Sequence, residues 1–145
     1  MECFYDDPDT VKSILLENDI FVEKVILDSP LSNVKETLRD QTSEVPLASY
    51  FFDDIFELYS TQISGFGEQM RLSKLFPKDI PLLILQSKDD RLTLNEILTI
   101  ELNEMKDYNK LSITYFEGPD HVRIFQDDRT RKQYLDAVEK YLLID

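Results

Sequence analysis

Ile80-Pro81-Leu82-Leu83-Ile84-Leu85-Gln86-Ser87-Lys88-Asp89-Asp90 is the stretch on which the fold turns. Leu82 to Leu85 are apolar without alternation, the pattern of a parallel strand covered on both faces rather than of a strand with one wet side. Pro81 stands before the run and the polar residues from Gln86 onward close it, which predicts a strand over Leu82–Gln86. Downstream, Leu94, Ile97, Leu98, Glu101 and Leu102 recur at helical spacing, so Leu94–Met105 reads as a helix with one apolar and one charged face. Leu111–Phe116 is the next strand and Gly118-Pro119 a turn. Asp127 or Asp128 opens a last helix, with Tyr134, Leu135, Val138, Tyr141 and Leu142 expected to face inward.

The same alternation runs upstream. Asp9 suits the N-cap of a helix over Thr10–Asn18 that carries Val11, Ile14 and Leu15. Phe21–Asp28 is short and β-branched, and Ser29-Pro30 stops it, so it reads as a strand. Ser32 or Asn33 caps a short helix through Arg39. Pro46–Tyr59 places Leu47, Tyr50, Phe51, Ile55, Phe56 and Leu58 among acidic residues, an amphipathic helix with an aromatic face. Gly65-Phe66-Gly67 then breaks the chain. Helices alternating with strands predict an α/β fold, a parallel sheet of about three strands flanked by helices in three layers. We expect a single domain over residues 1–145, without repeat, low-complexity tract or linker.

Composition narrows the functions open to such a fold. The 145 residues include 29 acidic and 16 basic side chains, a net charge of -13, which repels nucleic acid and anionic membranes at long range. One Cys and one His exclude an internal disulfide and a structural zinc site, so no metal is expected. No segment is long and apolar enough to span a bilayer, and Met1-Glu2-Cys3-Phe4-Tyr5-Asp6-Asp7 lacks the basic start and apolar centre of a signal peptide. These features fit a cytoplasmic protein.

In an open parallel sheet, ligands bind beyond the carboxyl ends of the strands. The three expected strands end at Asp28-Ser29, at Asp89-Asp90 and, after a turn, at Asp120-His121, so the polar groups gather on one rim. Asp and Ser after strands are also common turn formers and helix caps, and pattern alone leaves both readings open.

The chain from Val25 onward resembles the C-terminal half of an α/β-hydrolase, of the esterase, lipase and serine-aminopeptidase-like branch. Val25-Ile26-Leu27-Asp28-Ser29-Pro30-Leu31-Ser32-Asn33 is similar to that family's sixth-strand segment. Ile80 to Asp90 resembles its seventh strand and triad acid, and Glu117-Gly118-Pro119-Asp120-His121 its histidine loop. The resemblance implies Asp90 as the acid, in preference to Asp89, and His121 as the base. The family places the acid three positions after a glycine, and Ser87 stands at that glycine here; Thr93-Leu94 stands where the family often has Val-Pro. Residues 30–80 correspond to the region in which the family inserts a cap or lid, where the aromatic helix would line an acyl pocket or simply pack on the core. No cofactor is implied.

The nucleophile does not follow the pattern. No Gly-x-Ser-x-Gly occurs in the sequence, and the family's spacing puts the nucleophile turn near Phe4-Tyr5-Asp6-Asp7-Pro8. Asp6 as a carboxylate nucleophile, as in dehalogenase-like relatives, is disfavoured by its glycine-free, proline-bearing surroundings. Ser64 precedes Gly65 but follows no strand, and Cys3 reads as an incidental thiol. The resemblance thus implies a serine ester or acyl hydrolase in a full-length form, acting on a small-molecule substrate, and no activity from this chain by itself. It also leaves the edge of the Val22–Asp28 strand open, to be covered by a homo-oligomer or a protein partner. The alternative is a non-catalytic interaction module that binds a protein through that edge or through the aromatic helix.

Overall fold

A computed structural model describes residues 13, 16–19, 21–62, 70–119, 121 and 123–143. The chain divides into two compact units, one of Met1–Phe21 with Ser32–Pro77 and one of Val22–Leu31 with Lys78–Asp145.

The second unit holds the sheet. Three parallel strands, β1 (Val25–Asp28), β2 (Leu82–Ser87) and β3 (Leu111–Phe116), lie in the order β1-β2-β3. Every residue of the central strand β2 is buried, as the unbroken apolar run requires. Fully burying the side chains of Leu82, Leu83, Ile84 and Leu85 contributes roughly 6–12 kcal/mol as an upper estimate. The strand's period of two sends Leu83 and Leu85 to one face, where Phe116, Ile124 and Tyr141 close a core with Ile26, Tyr134, Ala137 and Val138. These contacts dock α6 (Arg131–Leu143) on that face. Leu82, Ile84 and Gln86 point to the other face. There the Gln86 side-chain amide reaches the Thr93 carbonyl at 2.9 Å, just before α5 (Asn95–Met105), whose buried residues are Leu98, Glu101, Leu102 and Met105.

The strand β1 is shorter than its apolar run. Phe21 and Val22 are exposed, and pairing starts at Val25, whose N–H reaches the Pro81 carbonyl at 3.0 Å. The register Val25↔Leu82 fixes the reason: β2 begins after a proline, and residues before Val25 have no strand opposite them. Lys24 instead donates its ammonium to the carbonyls of Leu142, at 3.2 Å, and Tyr141, at 3.4 Å, where a cation favours the C-terminal end of α6. The strand ends at Asp28 and is followed by Ser29, which adopts a left-handed φ of 47°.

The last helix corrects two expectations. It begins at Arg131 rather than at Asp127 or Asp128, because residues 127–130 form a turn in which the Asp127 carboxylate caps the Arg129 N–H at 2.9 Å. Its inner face is Tyr134, Ala137, Val138 and Tyr141, while Leu135 and Leu142 are about half exposed.

The first unit is helical: α1 (Val34–Thr42), α2 (Pro46–Tyr50), α3 (Phe52–Gln62) and α4 (Leu72–Leu75). Asn33 caps α1, its side chain accepting the Glu36 N–H at 3.1 Å. The expected single helix Pro46–Tyr59 is two helices, because Phe51 leaves the helical region at φ -100° and ψ 8°. Phe52 and Phe56 turn inward and stack at 5.7 Å, whereas Tyr50 is exposed. Phe51, Ile55 and Leu58 join Val45, Leu47 and Ala48 around an apolar cleft of about 520 Å³.

Of the expected first helix, Thr10–Asn18, only residues 13 and 16–18 are described, and Ser13, Leu16 and Glu17 are helical. Cys3, Asp6, Ser64, the Gly65-Phe66-Gly67 break and Asp120 lie outside the described residues. Among the described residues, no helix is long and apolar enough to cross a membrane, and no three His, Cys, Asp or Glu side chains are grouped to hold a metal ion.

Candidate active site

The parallel register brings two separate loops together. Ser87 pairs with Phe116 at the last rung of β2 and β3, so the loops beginning at Lys88 and Glu117 leave the sheet side by side. The first of them carries Asp90, whose carboxylate is fully buried, and the second carries His121, whose imidazole is about one-quarter exposed. His121 Nδ1 lies 2.8 Å from Asp90 Oδ2 although 31 residues separate them. An ionised carboxylate can only accept, so this contact assigns the proton to Nδ1.

Burial of Asp90 opposes its charge, and five donors reverse the balance. Oδ1 accepts the N–H groups of Leu92 and Thr93, both at 2.9 Å. Oδ2 accepts the Thr93 hydroxyl at 2.5 Å, the His121 ring and, at the long distance of 3.4 Å, the Gln86 amide. Desolvation is the largest influence and pushes the carboxyl up, but the hydrogen bonds from Thr93, His121 and Leu92 together hold it below the ordinary aspartate value. The result is a buried anion beside an imidazole.

Asp89 does not reach the imidazole. Its Oδ2 accepts the Gly118 N–H at 2.8 Å, on the histidine loop, where Gly118 takes a left-handed φ of 92°. Ser87 donates its hydroxyl to the Pro119 carbonyl and accepts the Asp89 N–H at 3.2 Å. Lys88 N–H donates to the Phe116 carbonyl at 2.8 Å, and Asn95 on α5 donates to the Lys88 carbonyl at 3.0 Å. The end of β1 serves a different contact: Asp28 takes the Ser29 hydroxyl at 3.1 Å and lies against Tyr134, whose phenol is pushed up by burial and by that carboxylate. Of the three strand ends on the rim, two therefore meet in one constellation.

The sequence singled out Asp90 and His121, which the structure joins. It missed Gln86, Ser87, Asp89, Thr93 and Gly118 as their supports. A signal was available in the fully buried polar pair Gln86-Ser87 at the end of an apolar strand, since polar groups there need partners.

No protein-family model matches the sequence, and no curated protein sequence is similar to it. The backbone is similar to the propionate-bound form of a thermophilic esterase from the Planctomycetes species Thermogutta terrifontis. That likeness has a TM-score of 0.60 and 18% identity, and covers 83% of this chain and 42% of the esterase. A puromycin hydrolase is similar at a TM-score of 0.54 and 19% identity, over 93% of this chain and 19% of that protein. The fold is α/β-hydrolase-like. This α/β-hydrolase-like chain spans less than half the length of either structure, 42% of one and 19% of the other. At these identities the likeness concerns the α/β-hydrolase-like backbone, and the chemistry of Asp90 and His121 is argued from their own geometry.

Proposed function

We propose that Asp90 and His121 are the acid and base of a serine ester or acyl hydrolase, and that the nucleophile is not supplied by this chain. The observation that carries the reading is the 2.8 Å contact between a buried, multiply hydrogen-bonded carboxylate and His121 Nδ1 at adjacent loops of a parallel sheet. With the Nδ1 proton committed to Asp90, Nε2 is the nitrogen that takes the serine proton and returns it to the leaving group. Asp90 fixes the tautomer and stabilises the imidazolium as it forms. The substrate would be a small ester or related acyl compound, and the protein would work in a reducing cytoplasm, without cofactor or metal. Residues 30–80 would form its cap.

Since no Gly-x-Ser-x-Gly is present in the sequence, the chain alone should neither turn over esters nor react with serine-directed probes. Incubation with p-nitrophenyl propionate and with a fluorophosphonate checks this. The propionyl group is chosen to match the ligand of the Thermogutta terrifontis esterase. No turnover and no labelling are expected; turnover lost on His121→Ala, or stoichiometric labelling, would refute the missing nucleophile. The pair is tested separately by the imidazole's tautomer, read from its nitrogen chemical shifts. A proton on Nδ1 that moves to Nε2 in Asp90→Ala supports it, and an unchanged tautomer overturns it.

A second reading, a non-catalytic module, is favoured by one observation: among the described residues β1 lies at the edge of the sheet, and the apolar Phe21 and Val22 that precede it are exposed. In that case the chain binds a second copy or another protein along this edge. Binding that survives Asp90→Ala combined with His121→Ala supports the module, and binding lost with them argues for the hydrolase.

A further inference from the structure

Ser87 and Asp89 stand on the acid's side of the site, yet both of their side chains reach across to the base's loop. The Asp89 carboxylate holds the Gly118 N–H at 2.8 Å, and the Ser87 hydroxyl holds the Pro119 carbonyl, three and two residues before His121. Ser87 is fully buried, so its hydroxyl needs a partner, and the Pro119 carbonyl is the acceptor it finds. Gly118 sits at a left-handed φ of 92°, which glycine adopts without the strain a Cβ would bring, and there its amide donates to the Asp89 carboxylate. Asp90 follows directly in the same loop. One short turn therefore carries the acid and also two anchors for the base.

We propose that Ser87 and Asp89 are positioning residues for His121, clamping the histidine loop to the end of β2 so that Nδ1 meets Asp90. The proposal rests on the reading of Asp90 and His121 as an acid–base pair. Its content is distinct: the serine that replaces the family's glycine is a functional substitution, whose hydroxyl supplies an anchor that glycine cannot. The Lys88–Glu117 ion pair, 2.8 Å but exposed at both ends, joins the same two loops and adds little to the clamp.

The test is NMR in water on the full isotopically labelled chain, reading the solvent-exchange rate of the His121 Nδ1 proton. Amide protection in β2 reports the fold in the same samples. In Asp89→Ala and in Ser87→Ala the proton should exchange about tenfold faster than in the wild type, the change that follows from losing one charge-assisted or buried hydrogen bond. Asp89→Asn keeps an oxygen acceptor for the Gly118 N–H and should restore the wild-type rate. Wild-type exchange in both alanine variants, with β2 still protected, overturns the clamp and leaves the pair standing. An Asp89→Asn rate as fast as that of Asp89→Ala overturns the acceptor role of Asp89. Should Ser87→Ala fail to fold, the two Asp89 variants at the exposed position decide the matter alone. A wild-type proton that exchanges as fast as in Asp90→Ala refutes the pair itself, and the clamp with it.

Discussion

Thr93 and Ser87 both carry hydrogen bonds at the site, one to the Asp90 carboxylate and the other to the loop that bears His121. The Thr93 hydroxyl donates to the same carboxylate oxygen that holds His121, where a valine would leave that lone pair without a donor. Asp90 accordingly stays ionised at lower pH than an ordinary aspartate, its hydrogen bonds outweighing the burial that opposes its charge. A carboxyl with a lowered folded-state pKa stabilises the protein at pH values above the unfolded-state value. That stabilisation is lost as pH falls through the folded-state value. Thermal melts taken from about pH 6 down to about pH 3 should therefore fall more steeply for the wild type than for Asp90→Asn. At neutral pH the Asn variant should be less stable by about 2 kcal/mol, since its amide hydrogens face donors. Parallel curves for the two proteins would contradict the ionised, hydrogen-bonded acid. Asp127, held down to about 2 by Arg129, is common to both proteins and drops out of the comparison.

Elements were legible in the sequence to the degree that their burial is one-sided or complete. The strand Leu111–Phe116 has the boundaries its residues suggest, and β2 extends only one residue further, to Ser87. The central strand is set by an unbroken apolar run, the other by Leu111, Ile113 and Tyr115 alternating with Ser112 and Thr114, and both are bounded by polar turns. Where a boundary depends on a partner, the residues mislead: β1 stops short of Phe21 because β2 offers nothing to pair with. Phe51 illustrates a further limit, since helical periodicity continues across a single residue that leaves helical geometry. On α6 the apolar residues outnumber those the sheet can cover, and Leu135 and Leu142 remain outside. Asp90 stood out from Asp89 only through the resemblance to α/β-hydrolases; Thr93 bonds to it within its own loop, three residues on, whereas the Ser87 contact with Pro119 joins loops 32 residues apart and has no local signature. At this scale β2 is the element whose damage should cost most. Ile84→Ala, at a fully buried position, should lower the unfolding free energy by about 2–5 kcal/mol, measured by denaturant titration, while Leu135→Ala should change it by less than about 1 kcal/mol. Equal losses at the two positions would overturn this account of the core.

Over the whole molecule the net charge of -13 acts against compactness. Screening this repulsion should outweigh the weakening of exposed ion pairs such as Arg39–Asp53. Raising sodium chloride from about 0.02 M to about 0.5 M should then raise the melting temperature, and a fall would place more stability in the ion pairs than their exposure allows. Among the described residues no strand pairs with the outer side of β1, and although four residues make a short edge, the exposed apolar Phe21 and Val22 that precede it in the chain invite association. Sedimentation equilibrium should show a mass that rises with protein concentration; a monomer at all concentrations, with a cooperative high-temperature melt, would sink this expectation.

The sheet's pairing distances along the chain set an order of assembly. Leu82 and Leu111 are 29 residues apart (111 − 82), whereas Val25 and Leu82 are 57 apart (82 − 25), so closing the second loop costs about 0.6 kcal/mol more in chain entropy. Six rungs join β2 to β3 and four join β1 to β2, which favours the same order. The segment that closes first, strand to helix to strand, contains Asp90 and ends within a few residues of His121. A nascent chain released before β1 docks would already hold Asp90 and His121 within reach of each other, and the edge left for β1 would be the last part of the sheet to find a partner.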